Sequence, residues 1–170
     1  MDSAACLAFA ISRGESVDAI HVQYGQAAAA RELQASEALC EHFAVSLRVV
    51  QLGRPYAVTA GYLAGRNLLL ISAAVSQEIE TGLLYLGFHL DAAYPDCGTA
   101  FVSAMQKVLD VYHGGALQLF SPFLASRKAT VAAYCVQNDV PLGLSYSCEL
   151  GTVPPCGECM SCRDRKAVGV

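Results

Sequence analysis

The run Asp18-Ala19-Ile20-His21-Val22-Gln23, closed by Tyr24-Gly25-Gln26, decides the fold. Its β-prone residues stop at a glycine, and the stretch that follows carries Ala35, Leu39 and Phe43 at i, i+4 spacing, so it reads as strand, turn, helix. The alternation then recurs. Residues 47–52 are strand-like, a turn follows at Gly53-Arg54-Pro55, and a helix is expected from near Asn67 to Glu80, stopped by Gly82. Residues 83–89 supply an apolar strand, and residues 99–112 a helix that ends before Gly114-Gly115. Residues 117–120 are a short strand, and residues 127–137 a helix that Ser126 could cap. Strands alternating with such helices imply right-handed crossovers, hence an α/β fold with a parallel sheet and helices on both faces. Residues 1–147 are expected to form this domain. Residues 148–170 are too rich in Gly, Pro and Cys to continue the pattern. Residues 1–6 look like a helix start with no strand before it, although such a domain usually opens with a buried strand.

The 170-residue length suits one domain. Apolar residues make up 54% and charged residues 15%, so solvated surface is scarce and a homodimer is plausible. The longest stretch without Asp, Glu, Lys or Arg, residues 111–126, is broken by Gly114, Gly115 and Pro122, which argues against a membrane span. A net charge of −4 gives no global attraction to a phosphate backbone, so no direct nucleic-acid ligand is expected. Asp2 stands where a signal peptide would be basic, which predicts a cytoplasmic chain with reduced thiols.

The 8 cysteines therefore need a reading other than disulfides. Cys6, Cys40, Cys97 and Cys135 are dispersed, and the three on helical stretches, Cys6, Cys40 and Cys135, read as small buried hydrophobes. Cys148, Cys156, Cys159 and Cys162 instead cluster, with overlapping C-x₂-C pairs at Cys156-Gly157-Glu158-Cys159 and Cys159-Met160-Ser161-Cys162. That spacing brings thiolates to one tetrahedral ion, and four ligands close the site, so a structural zinc is expected. Iron–sulfur clusters also use C-x₂-C-x₂-C triplets. Gly151, Pro154, Pro155 and Gly157 suit a chain that must turn around a metal.

In a parallel α/β sheet, ligands sit beyond the carboxyl ends of the strands. The polar residues there are Tyr24-Gly25-Gln26, the segment 89–97 and Ser121-Pro122. Arg66 and Lys128 open helices, where the macrodipole disfavours cations, so each suits an anionic ligand. Asp91, Tyr94 and Asp96 offer a carboxylate and a ring to a purine-like molecule, although Tyr94-Pro95-Asp96-Cys97-Gly98 is also an ordinary turn. His21, His42, His89 and His113 have no metal-triad spacing and read as surface or core residues.

In order along the chain, these features resemble the QueC-type 7-cyano-7-deazaguanine synthase family of the PP-loop, adenine-nucleotide α-hydrolase-like superfamily. Tyr24-Gly25-Gln26 and Glu32 are similar to its Asp-Tyr-Gly-Gln…Glu element, with Gln23 replacing the Asp. Gly65-Arg66-Asn67-Leu68, Gly87 with Asp91, Tyr94-Pro95-Asp96-Cys97, Ser121-Pro122 with Lys128, and the cysteine tail after Ser147 also match. Met1-Asp2-Ser3 stands where the family has Ser-Gly-Gly-x-Asp-Ser, so the first strand and the Ser-Gly-Gly half of the ATP loop are expected to be missing, as in a fragment or a mis-assigned start. The segment between Leu52 and Gly65 is shorter than that family's pattern.

The resemblance implies an ATP-dependent ligase that converts 7-carboxy-7-deazaguanine and ammonia to the nitrile preQ0 for queuosine biosynthesis. It implies ATP with Mg²⁺ as cosubstrate and structural zinc on Cys148, Cys156, Cys159 and Cys162. It further implies catalytic roles for Lys128, Asp2 and Ser3, ATP contacts at Asp2, Ser3, Tyr24, Gly25 and Gln26, and substrate contacts at Arg66, Asn67, Asp91, Tyr94 and Asp96. Neighbouring readings are a QueC-like ligase of an antiphage system acting on a related substrate, and a non-catalytic, zinc-stabilised purine-binding remnant.

Overall fold

A computed structural model describes residues 1–53 and 63–170; the expected turn at Arg54-Pro55 lies outside them. The order is α1 (Asp2–Ser12), β1 (Asp18–Gln23), α2 (Ala29–His42), β2 (Ser46–Gln51), α3 (Arg66–Val75), β3 (Gly82–Tyr85), α4 (Thr99–His113), β4 (Leu117–Phe120), α5 (Lys128–Gln137) and α6 (Met160–Ala167), with single 3₁₀ turns at Pro95–Cys97 and Leu142–Leu144.

Both strand pairings are parallel: β1 with β2 from Asp18↔Ser46 to Gln23↔Gln51, and β3 with β4 from Gly82↔Leu117 to Tyr85↔Phe120. Parallel strands with helices are as expected; among the described residues they form two pairs, with no ladder joining them. Successive side chains of a strand point to opposite faces, and His21 and Val22 are both buried, so β1 is covered on both sides. His21 faces α2, where its Nδ1 lies 3.2 Å from Ser36 Oγ.

Two clusters make the core. In one, the small residues Ala4, Ala5 and Ala8 of α1 let it approach α5 at Val131, Ala132 and Cys135, with Phe123 and Val140 alongside. In the other, Ile71 of α3 meets Met105, Leu109 and Leu117. Cys6, Cys40 and Cys135 are buried thiols on α1, α2 and α5, as read from the sequence.

Three boundaries differ from the sequence reading, each for a local reason. Helix α3 ends at Val75, not Glu80, because Gln77 N–H closes on Ala74 O and Glu78 turns left-handed at φ 61°. Strand β3 ends at Tyr85, not His89; Leu86 N–H still reaches Phe120 O at 2.9 Å, but β4 then runs into Ser121-Pro122. There Ser121 Oγ replaces the ladder, accepting from Phe88 N–H at 3.3 Å and donating to Phe88 O at 3.2 Å. Ser126 does not cap α5: Arg127 is its N-cap, and the Asp91 carboxylate takes the Lys128 N–H at 2.7 Å.

The tail also holds a helix that its composition hid. No Gly or Pro falls between Gly157 and Gly169, and Glu149 Oε1 caps α6 by accepting from Ser161 N–H at 3.2 Å and Ser161 Oγ at 2.8 Å. Arg165 and Lys166 then sit in its last turn, where cations suit the dipole.

Burial lowers the pKa of His21 and His89, so the fold disfavours their charged forms. The unfolded chain therefore binds more protons than the native one below the ordinary histidine value of about 6.5, and stability falls as pH drops through that value. The urea midpoint is expected to be lower at pH 5.5 than at pH 7; a midpoint unchanged over that window contradicts the assignment. Among the described residues no helix is long and apolar enough to cross a membrane.

Candidate active site and metal centre

The amino ends of α1, α3 and α5 and the carboxyl ends of β1 and β3 supply the expected site residues. Helix amino ends expose unpaired N–H groups and positive partial charge, an environment suited to anions. Lys128, the first residue of α5, donates from Nζ to Asp2 Oδ2 at 2.5 Å, an ion pair across 126 positions of sequence. His89 lies against the same ammonium, its Nε2 3.5 Å from Lys128 Nζ. The sequence reading had left His89 as a core or surface residue; its spacing to Lys128 carried no signal because the contact is tertiary. Asp2 Oδ1 and His89 Nδ1 are buried with no hydrogen-bond partner among the described residues, so an acceptor and a donor are left for something else.

Gly87 makes this junction possible. A Cβ there would stand 2.9 Å from Asp2 Cβ, 3.0 Å from Asp2 C and 3.2 Å from Ser3 N. Gly87→Ala is expected to push the start of α1 off β3, costing about 1–3 kcal/mol by overpacking and separating Asp2 from Lys128. Urea unfolding measures the first effect, and the second appears as a loss of ligand binding; a variant with unchanged stability contradicts the close packing.

The second group surrounds α3. The Arg66 guanidinium lies 5.6 Å from the centre of the Tyr94 ring and also faces the buried Tyr24 hydroxyl. Asn67 N–H donates to Asp96 Oδ2 at 3.0 Å, while Asn67 Nδ2 donates to Asp96 O at 2.9 Å and Cys97 Sγ at 3.2 Å. Asp96 thus caps α3 and ties it to the Tyr94-containing loop. Cys97 feels the charges of both Asp96 and Asp2, and burial is the main cause of its raised pKa.

Three expected contact residues are occupied by the fold itself. Gln26 is buried: its Oε1 accepts from Tyr24 N–H at 2.9 Å, and its Nε2 donates to Glu32 Oε2 at 2.9 Å and Val22 O at 3.3 Å. It shapes the turn after β1, where Gly25 adopts φ 89°. Asp91 holds the start of α5, and Asp96 that of α3. Ser3 is exposed beside Asp2.

A small cavity of about 50 Å³ lies at Asp2 and Lys128 and is closed on the other side by Ser147, Ser161, Asp164 and Arg165. The cysteine tail therefore forms a wall of the site. Arg165 locks it there by donating to Leu142 O at 2.6 Å, Ser145 Oγ at 2.9 Å and Ser147 Oγ at 3.4 Å.

The Sγ atoms of Cys148, Cys156, Cys159 and Cys162 all lie within 4.8 Å of one another, the one group of potential metal ligands found among the described residues. Cys156 and Cys162 are 3.9 Å apart, close to the roughly 3.8 Å separation that 2.3 Å bonds to a tetrahedral zinc produce. Cys156 N–H points at Cys148 Sγ at 3.4 Å and Cys159 N–H at Cys156 Sγ at 3.3 Å. Burial works against a thiolate at Cys148, but the Cys156 and Leu150 N–H groups and the Thr152 hydroxyl outweigh it and bring the thiol down to about 5. Burial and the three neighbouring sulfurs push Cys162 up to about 12.

The chain is similar to proteins of one family. The model of the family described as "Queuosine biosynthesis protein QueC" matches residues 1–60 and 53–168, and the two stretches overlap inside the segment read as short. A protein named 7-cyano-7-deazaguanine synthase from Sulfurihydrogenibium sp. is 32% identical over 198 aligned positions, covering 98% of this chain and 88% of that protein. Proteins of the same name from Persephonella marina and Synechococcus elongatus are 32% and 31% identical, with 97% of this chain covered in each case and 86% and 84% of theirs. With its Asp2–Lys128 pair, Tyr94–Cys97 loop and four-cysteine tail in the family's order, the chain belongs to the QueC family of queuosine biosynthesis proteins.

Proposed function

We propose that the protein is an ATP-dependent ligase that forms 7-cyano-7-deazaguanine from 7-carboxy-7-deazaguanine and ammonia. The observation that carries this reading is the Asp2–Lys128 pair at the amino ends of α1 and α5, with the Arg66–Tyr94 contact at the amino end of α3, in a chain of this family. MgATP enters as a substrate. The substrate carboxylate attacks the α-phosphorus, the bond to the β-phosphate oxygen breaks, and pyrophosphate leaves. Ammonia then attacks the acyl carbon, AMP departs with the carboxyl oxygen, and a proton is lost to give the amide. In a second round the amide oxygen attacks another ATP, pyrophosphate leaves, and loss of AMP and the remaining nitrogen-bound protons gives the nitrile.

Each step gathers negative charge on phosphate oxygens, and preorganised donors are most effective where charge develops. Lys128 Nζ supplies one cation, held by Asp2 Oδ2, where the amino ends of α1 and α5 come together. Arg66 is steadied by Tyr94 and suits the substrate carboxylate, while the Tyr94 and Tyr24 rings suit the planar base. Asp2, Ser3, Tyr24 and Gly25 contact the nucleotide, and Gln26 contributes by fixing the Tyr24 turn. Asn67, Asp91 and Asp96 act by holding α3 and α5 in register with the substrate loop.

The four cysteines fit zinc in number, spacing and sulfur chemistry, and a four-sulfur site leaves no open position, so the ion supplies folding energy that fixes the tail.

The experiment is incubation of the longest form of the protein containing these 170 residues with MgATP, ammonium and 7-carboxy-7-deazaguanine. The reading predicts acid-dependent release of AMP and pyrophosphate and a product with the mass of the nitrile. ATP turnover that ignores the acid, or cleavage to ADP, overturns it.

A further inference from the structure

We propose that His89 is the positioning residue that aims Lys128, a role that deepens the ligase reading and rests on it. A lysine ammonium has three protons and no acceptor. One proton of Lys128 Nζ goes to Asp2 Oδ2 at 2.5 Å, and His89 Nε2 stands as a second acceptor at 3.5 Å. With two directions of a tetrahedral nitrogen taken, the third is fixed, and Lys128 loses the freedom that a flexible four-carbon stem would otherwise have. A side chain that is only 15% exposed and doubly held presents one N–H to the phosphate group that gains charge.

The surroundings of His89 are built to hold it in place. It is 8% exposed. Ser121 Oγ bridges both backbone groups of Phe88, and Leu90 N–H donates to Ser126 O at 2.8 Å, so the residues on either side of the imidazole are fixed. Gly87 lets the start of α1 pack against the same segment, which brings Asp2 to the ammonium from the opposite direction.

The pairing also dictates a tautomer. Because Lys128 can only donate, Nε2 must keep its lone pair, and the imidazole proton is on Nδ1. That Nδ1 is buried with no partner among the described residues, a penalty that the fold accepts at this position. The charged groups facing the ring are Lys128 of α5, Asp2 of α1, Asp91 after β3 and Asp164 of α6. Burial and Lys128 oppose a charged ring, which keeps the lone pair available.

Two measurements test this separately from the ligase reading. Long-range proton–nitrogen spectra of the ¹⁵N-labelled protein, with the signal assigned by its loss in His89→Gln, are expected to show protonated Nδ1 and bare Nε2, and Lys128→Met is expected to disturb that ratio. A proton on Nε2, or spectra that Lys128→Met leaves unchanged, overturns the proposal even if no ligase activity exists. In the AMP-release assay, His89→Leu is expected to lower kcat about 10–100-fold with KM for ATP within about threefold, the effect of losing one hydrogen bond to a charged group. His89→Gln, whose amide oxygen can accept in place of Nε2, is expected to recover most of that loss. An unchanged kcat in His89→Leu, or an effect confined to KM, overturns the proposal. Absence of AMP release from the wild-type protein would instead defeat the ligase reading, leaving the tautomer to decide this one.

Discussion

Replacing Cys162 with serine is expected to empty the metal cage and release the tail, at a cost of more than about 4 kcal/mol. The magnitude follows from the size of structural zinc binding, about 10–16 kcal/mol in zinc-finger peptides, much of which appears as folding energy. Little else substitutes for it. Helix α6 has 8 residues, none of them buried, and an isolated helix that short is marginal in water. What remains is the Glu149 cap, the Arg165 clamp and the packing of Val168 and Val170 on the core. Metal analysis of the wild-type protein is expected to give about one zinc per chain and a colourless solution, while a brown, iron-containing protein contradicts a zinc centre. For Cys162→Ser the checks are urea unfolding and proteolysis after residue 147. A variant of unchanged stability and metal content contradicts the assignment. Because Ser147, Ser161, Asp164 and Arg165 wall the cavity at Lys128, tail release is also expected to lower nucleotide turnover.

Lys128→Met carries the largest expected effect on activity, a loss of about 10²–10³ in kcat/KM, the range seen when one preorganised donor to a developing charge is removed. It also leaves Asp2 partly buried without its cation, at a cost of about 1–3 kcal/mol. The two effects separate in a double variant. Asp2→Asn with Lys128→Met is expected to recover most of the lost stability and none of the lost turnover, since the neutral amide no longer needs a cation. Thermal unfolding and AMP release measure the pair. Wild-type turnover in Lys128→Met contradicts the role given to it here.

The alternation of strands and helices was legible from residue 18 onward because β-prone runs and apolar residues at helical spacing are local marks in the sequence. The four-cysteine centre was legible because its ligands are local in sequence. Positions set by contacts between distant segments were not. Asp91 capping α5 and His89 meeting Lys128 span 37 and 39 positions, and neither leaves a periodic mark. Helix α6 was hidden because the Gly and Pro residues before it dominate the composition of the tail. Gln26 was read as a ligand contact from its place in a family element, whereas its buried amide spends its hydrogen bonds on the turn.

If the substrate carboxylate is activated by adenylation at the site around Lys128, its oxygen is transferred to AMP. With both carboxylate oxygens of 7-carboxy-7-deazaguanine labelled with ¹⁸O, the account predicts that the AMP released on amide formation and the AMP released on nitrile formation each carry one labelled oxygen in the phosphate. Unlabelled AMP, with the label retained in the base or lost to water, would contradict it.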